Sequence, residues 1–196
     1  MTMDTARRAF IAGIGATAAL GATGSLAHPV TLPERFLPQL VNTYRTDWLA
    51  GDIHVTPDDF FLYFMLDRGL AIRYGVGVGR ANLYEAGTFT VQHKAEWPRW
   101  RPTDAMIRRE PGRYARFADG VPGGPENPLG ARALYIFQNG QDTLYRLHGS
   151  PEYWTIGRAV SSGCVRLINQ DIIDLYDRVA TPSPIFVRGS ASARAV

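Results

Sequence analysis

Cys164, the only cysteine in the chain, and His148, one of four histidines, stand sixteen positions apart. A thiol becomes an acyl-transfer nucleophile when a base takes its proton and fixed donors hold the oxyanion, because the thiolate is the reactive form. His148 is the candidate base. The Ser161-Ser162-Gly163 run just before the cysteine has little side-chain bulk, so a substrate carbonyl could lie against the N–H groups of Ser162 and Gly163. Arg166 would share a side of an extended chain with the cysteine, where its guanidinium could fork onto a substrate carboxylate. On these residues alone, a buried structural thiol and a hydrogen-bonded core histidine compete evenly with that reading.

Strong elements flank the pair. Ala133–Phe137 and Thr143–Leu147 read as two strands around Asn139-Gly140, a dipeptide suited to the positive φ angles of a tight hairpin. The second strand would deliver His148 at its end. After Arg166, Asn169 is placed to cap a helix carrying Ile172, Ile173, Leu175, Tyr176 and Val179 at near-helical spacing, with Pro182 and Pro184 ending it and Ile185–Val187 a last strand.

Upstream, Ile53–Val55 reads as a short strand, and Phe60–Leu66 and Leu70–Val76 as a hairpin about Asp67-Arg68-Gly69. Gly87 to Lys94 is another strand. The alternating glycines Gly75, Gly77 and Gly79 lack the helix and acidic residue of a dinucleotide loop and suit a strand with a close neighbour. Thr103 should cap a short helix over Asp104–Arg109. Residues 119–130 hold four glycines and three prolines, a long loop of the kind that often borders a site. Trp97 and Trp100 fit a core cap somewhat better than a groove lining. The expected fold is mainly β, a sandwich-like arrangement of mixed sheets with one or two short helices and a long loop at the site.

At 196 residues, 45% of them hydrophobic, the chain can bury one core. A scattered net charge of +3 gives nucleic-acid binding no support. Residues 1–27 differ from the rest: Arg7-Arg8, then Phe10-Ile11, a weakly apolar Ala/Gly/Thr stretch and a Ser25-Leu26-Ala27 end have the make-up of a cleavable, twin-arginine-like export signal. The apolar run is short for a membrane span, so no stable span is expected after cleavage. Residues 28–46 read as an extended lead-in, 47–189 as the domain and 190–196 as a tail. An exported protein with one thiol has nothing to pair it with, which favours chemistry over scaffolding for Cys164.

The string His148 to Arg166, H-G-S-P-E-Y-W-T-I-G-R-A-V-S-S-G-C-V-R, closely resembles the catalytic signature of the L,D-transpeptidases (YkuD-like), which act on bacterial peptidoglycan. The wording from about Gly87 and the Gly-Gly-Pro-Glu-Asn-Pro-Leu-Gly text are also similar to that family. The resemblance implies a β-rich sandwich, Cys164 as nucleophile, His148 as base, and the Gly149 carbonyl orienting the ring. Many members carry a second histidine where Ser162 stands here.

The implied reaction attacks the L-centred carbonyl of a tetrapeptide stem, expels D-alanine and passes the thioester to an amine, with no cofactor or metal. That amine could belong to another stem, a D-amino acid or an outer-membrane protein. Arg166, Arg158 and Arg132 would serve as carboxylate anchors with Ser161 beside them, carbapenems would acylate the same thiol, and the location would be the periplasm. Hydrolysis of the thioester (an L,D-carboxypeptidase) and a non-catalytic wall-binding module remain as alternatives. A zinc site on His54, His93 and His148 has no compact ligand spacing behind it.

Overall fold

The computed structural model describes residues 31–80, 83 and 85–189. The expected export signal and the tail from residue 190 lie outside these. The strands are β1 (Gln39–Asn42), β2 (Ile53–Thr56), β3 (Phe61–Asp67), β4 (Leu70–Gly75), β5 (Val78–Gly79), β6 (Gly87–Glu96), β7 (Arg132–Gln138), β8 (Gln141–Ser150), β9 (Ala159–Ser161), β10 (Val165–Ile168) and β11 (Ser183–Val187). Three helices join them: α1 (Asp104–Arg109), α2 (Pro111–Tyr114) and α3 (Asn169–Arg178). Nine strands form one mixed sheet in the order β1-β4-β3-β2-β11-β6-β7-β8-β10, and β5 pairs with β9 in a small second sheet. One apolar core draws on both halves of the large sheet and on α3: Ile53, Val55 and Leu62 meet Val91, Leu134, Leu147 and Leu167, with Ile172 and Leu175 closing over them.

Both expected hairpins are present. Gly69 takes φ 74 between β3 and β4, and Asn139 and Gly140 take φ 50 and 77 between β7 and β8, the positive pair that a tight two-residue connection requires. Thr103 caps α1 by accepting from Met106 N at 3.1 Å. Part of the lead-in is built into the domain: β1 pairs antiparallel with β4, and Phe36 is buried against Ile156 and Ile168.

Asn169 does something other than cap. Helix α3 starts without a side-chain cap, and Asn169 Oδ1 instead accepts from Ala131 N at 2.9 Å. A Cβ at Gly130 or Gly149 would overlap the same oxygen. The helix start is thereby wedged between the end of the 119–130 loop and the residue after His148. At the other end, Lys94 Nζ donates to the Tyr176 and Val179 carbonyls, both at 2.7 Å, which satisfies acceptors that a helix terminus leaves open.

The alternating glycines mark close backbone approach. A Cβ on Gly77 would fall 2.6 Å from Thr155 O, and one on Gly79 would fall 2.9 Å from Gly163 Cα. Gly77 and Arg166 exchange backbone bonds of 2.9 and 2.7 Å, and Arg80 N donates to Ser161 O at 3.1 Å. The glycine strand therefore runs directly behind the cysteine loop.

Candidate active site

Strand β8 carries His148 between β7 and β10, two residues short of the strand's end. The parallel register sets Arg166 opposite His148 and Val165 opposite Leu147, so Cys164 immediately precedes β10 at the same level of the sheet. Strand alternation puts Arg146 on the face of His148. Cys164, His148, Ser161, Ser162 and Arg166 all line one cavity of about 440 Å³.

His148 is buried, with 4% exposure. Its Nδ1 contacts the Gly149 carbonyl at 2.5 Å. A carbonyl can only accept, so Nδ1 carries the proton and Nε2 is the basic nitrogen. Burial, reinforced by the Arg166 charge, pulls the imidazole down to about 3. Burial likewise pushes the Cys164 thiol up, against the pull of a backbone bond and the nearby Arg146 and Arg166 charges. The resting pair is thus a neutral thiol and a neutral imidazole. The thiol contacts Leu144 O at 3.9 Å.

Ser161 is buried and its hydroxyl is spent as a brace, donating to Cys164 O at 2.6 Å and accepting from Gly163 N at 3.2 Å. The Gly163 N–H is therefore committed, which removes it as an oxyanion donor and turns Ser161 from a substrate contact into loop support. Gly163 itself has φ 126, and a Cβ there would overlap the Tyr145 ring and sit 2.7 Å from Leu83 O. Gly163→Ala is expected to cost about 1–3 kcal/mol of stability through backbone strain. It should also slow covalent modification of Cys164 by roughly a hundredfold through misplacement of the thiol. Thermal unfolding and intact-mass kinetics check both, and a variant modified at the normal rate would refute the second effect.

The arginines sort differently from the sequence expectation. Arg166 lines the cavity but is already ion-paired, its Nη1 lying 2.6 Å from Glu152 Oε2. Arg132 does not reach the cavity: it bonds Ala131 O and Glu96 and lies over the Tyr176 ring, on the side of the sheet that faces α3. Arg158 is exposed and also outside the cavity; its backbone carbonyl accepts from Val78 N of β5 at 3.0 Å.

Several lining residues escaped the sequence reading. Helices α1 and α2 and the 3-10 turn Ala115–Phe117 that follows them form a cover contributing Met106, Arg109, Arg113 and Phe117. Arg109 Nη2 donates to Ser162 Oγ at 3.1 Å, and Glu110 holds Arg80 at 2.7 Å. The 119–130 loop supplies Glu126, Pro128 and Leu129 as a braced wall. Its buried Asn127 donates to Val121 O and Pro122 O and accepts from Leu129 N. Trp100, which the sequence favours as a core cap, packs edge-on against Phe117 and lines the cavity. Of these, only the 119–130 loop, whose glycines and prolines marked it as bordering a site, and Trp100, weighed as a groove lining, carried a signal in the sequence.

Among the described residues no helix is long and apolar enough to cross a membrane, and no group of three or more His, Cys, Asp or Glu side chains is spaced to hold a metal ion.

A mixed β-sheet brings the lone thiol and a tautomer-fixed histidine to one cavity, and the comparisons give the family. The chain belongs to the L,D-transpeptidase catalytic domain family (YkuD), whose model matches residues 50–187. Curated relatives include the probable L,D-transpeptidase ErfK/SrfK of Escherichia coli K12, 36% identical over 60% of this chain and 37% of its own length. Another is the probable L,D-transpeptidase YbiS of the same strain, 40% identical over 47% of this chain and 28% of its own. The matched region thus spans about a third of those relatives.

Among solved structures, one from Brucella melitensis, described as a probable carnitine operon oxidoreductase, is 47% identical with a TM-score of 0.54. It covers 76% of this chain and 91% of its own. L,D-transpeptidase 3 of Mycobacterium tuberculosis, in complex with a faropenem-derived adduct, is 17% identical with a TM-score of 0.52, covers 70% of this chain and 59% of its own, and shares the fold.

Proposed function

We propose that this protein is a peptidoglycan L,D-transpeptidase of the cell envelope, acting in the periplasm after export on a twin-arginine-like signal. Cys164 is its nucleophile and His148 its base. The observation that carries the reading is the bond from His148 Nδ1 to the Gly149 carbonyl in the cavity that also holds Cys164. It fixes the one tautomer whose Nε2 can accept a thiol proton.

In the first half-reaction, Cys164 Sγ attacks the L-centred carbonyl of a tetrapeptide stem while its proton passes to His148 Nε2. Main-chain donors near Cys164, other than the committed Gly163 N–H, and the positive field of Arg146 and Arg166 stabilise the oxyanion. The C–N bond then breaks, and the proton moves from His148 to the departing D-alanine, leaving a thioester. In the second half an amine nitrogen bonds the thioester carbon, the C–S bond breaks, and the nitrogen's proton returns through His148 to sulfur. The imidazole's low basicity suits this cycle, since a protonated His148 gives its proton up readily.

Incubating the protein with a tetrapeptide stem should add the mass of the acyl tripeptide at Cys164 and release D-alanine. Adding an amine acceptor should give a new amide product. Tripeptide alone, whatever the acceptor, would make the protein a hydrolase, and no covalent addition at all would refute the thioester mechanism. Carbapenems are expected to label the same residue.

A further inference from the structure

The 3-10 turn Tyr153–Thr155, just past the strand that bears His148, presents two aromatic rings to which the mechanism gives no role. Tyr153 and Trp154 stand 40% and 55% exposed, their ring centroids 5.3 Å apart and their planes at 76°. They follow directly on Pro151 and Glu152, which line the cavity that holds Cys164 and His148. Tryptophan is highly buried on average, and adjoining exposed apolar groups mark contact sites where a single one does not.

The turn is built to hold the rings in place. Glu152 N–H donates to Ser150 Oγ at 3.1 Å, and its carbonyl accepts from Thr155 N at 3.0 Å and Thr155 Oγ1 at 2.7 Å. Beyond the rings, Ile156 is buried with Leu32, Phe36 and Ile168, and Gly157 N donates to Val76 O at 2.9 Å. A Cβ on Gly157 would fall 2.5 Å from the Phe36 ring. Leu32 and Phe36 precede the residues 50–187 that the family model matches, so the prop beneath the rings comes from outside the matched domain. Rings fixed this firmly lose little conformational freedom when a ligand settles on them.

We propose that Tyr153 and Trp154 are a saccharide platform, on which an N-acetylated amino sugar of the glycan strand stacks its C–H face while the attached stem enters the cavity. The inference rests on the transpeptidase reading above and adds a site for the part of the substrate that does not react. The carbonyl that Cys164 attacks belongs to the third residue of the stem, and the first residue is joined to the sugar. An extended stem therefore sets the sugar about 10 Å from the thiol. A stem seated in the cavity of about 440 Å³ brings its sugar to the rim, where the rings stand.

A pyranose matches what the turn offers. Its C–H face suits an aromatic surface, and its hydroxyl and amide N–H groups are donors for Glu152. One carboxylate oxygen of Glu152 bonds Arg166, and the other has no partner among the described residues. A hydrocarbon surface pressed on the same rings would cover that oxygen without supplying a donor, which is costly. Sugar held at the rim spends remote binding energy on orienting the stem, so its effect falls on kcat/KM.

Two measurements test the platform. The first titrates the protein by calorimetry with glycan strands stripped of their stems, which involves no chemistry at Cys164. Binding should weaken at least about tenfold in Trp154→Ala and recover to within about threefold of wild type in Trp154→Phe, which keeps an aromatic face. The second compares D-alanine release from a disaccharide-linked tetrapeptide with release from the same tetrapeptide N-acetylated. The wild-type kcat/KM should favour the linked stem at least about tenfold, and Trp154→Ala should bring that ratio to within about twofold of unity. The ratio is taken within each protein, so a general loss of activity does not move it. Strands that bind wild type and Trp154→Ala equally, strands that do not bind at all, or a linked-stem preference that survives in Trp154→Ala each overturn the proposal. If neither stem releases D-alanine, the transpeptidase reading falls, and the strand titration still decides whether the rings hold sugar.

Discussion

Cys164→Ala is expected to reduce D-alanine release from a tetrapeptide stem to background and to abolish the covalent mass gain. The chain has no second thiol to take over. The two serine hydroxyls that precede Cys164 in the loop are engaged, Ser161 with Cys164 O and Gly163 N, and Ser162 with Arg109. The imidazole, held at about 3 by burial and Arg166, is too weak a base to ionise a serine in place of the more acidic thiol. The substitution removes a sulfur from a partly buried position and introduces no polar atom. The fold should survive, which circular dichroism and thermal unfolding can verify. Continued D-alanine release by a folded Cys164→Ala protein would remove the cysteine from the mechanism.

His148 carries the second large effect, and it has a pH signature. His148→Ala should slow thioester formation by roughly 10²–10⁴-fold, the usual loss on removing a general base. For the wild-type protein, an ordinary histidine near 6.5 would cost about tenfold in rate between pH 7.5 and 5.5. With the imidazole at about 3, the donor half-reaction should instead stay level across that range. It should also show no tenfold-per-unit rise toward pH 8, because the thiol, which burial pushes up, hands its proton to His148 during attack and does not ionise beforehand. A burst of D-alanine measured without acceptor isolates this step, and an acid limb centred near 6.5 would contradict the neutral-pair mechanism.

Stability moves in the same window. The unfolded chain takes a proton on His148 below about 6.5 and the folded protein does not until about 3. The contribution of His148 to stability therefore falls as pH drops from 6.5 toward 3, and it is opposed by Asp171, whose carboxyl is pushed up to about 7 by burial, so that its contribution rises as pH falls. His54, stacked between Trp48 and Phe186 and held at about 4 by burial, adds to the same loss.

The parts of this molecule legible in its sequence are those governed by neighbours in the chain. Asn139-Gly140 specifies its own hairpin, Thr103 its own cap, and the His148–Arg166 string carries the family signature on consecutive residues. What stayed hidden depends on partners far away in sequence. Arg109 reaches Ser162 from a cover helix, and nothing local to either residue announces it. Arg132 and Arg158 look equivalent to Arg166 as text, but only Arg166 is paired with His148 across the ladder and lines its cavity; Arg132, one residue from the Ala133–His148 pair on β7, bonds Ala131 O and Glu96 instead. The Ser161-Ser162-Gly163 run advertised small residues for a substrate, whereas part of their use is internal, with Ser161 spanning the bend that aims the cysteine. Asn169 has the right type and place for a cap, and a tertiary bond to Ala131 outcompeted that use.

The wedge formed by Asn169 with Gly130 and Gly149 also limits how such a site can change over generations. Enlarging either glycine alone collides with the carboxamide, while shrinking the asparagine alone strands the Ala131 N–H and opens space beside the histidine's carrier strand. The three positions can drift only in concert. Among sequences that keep this histidine, the trio is expected to appear or vanish as a set, and an alignment could read that joint substitution pattern directly.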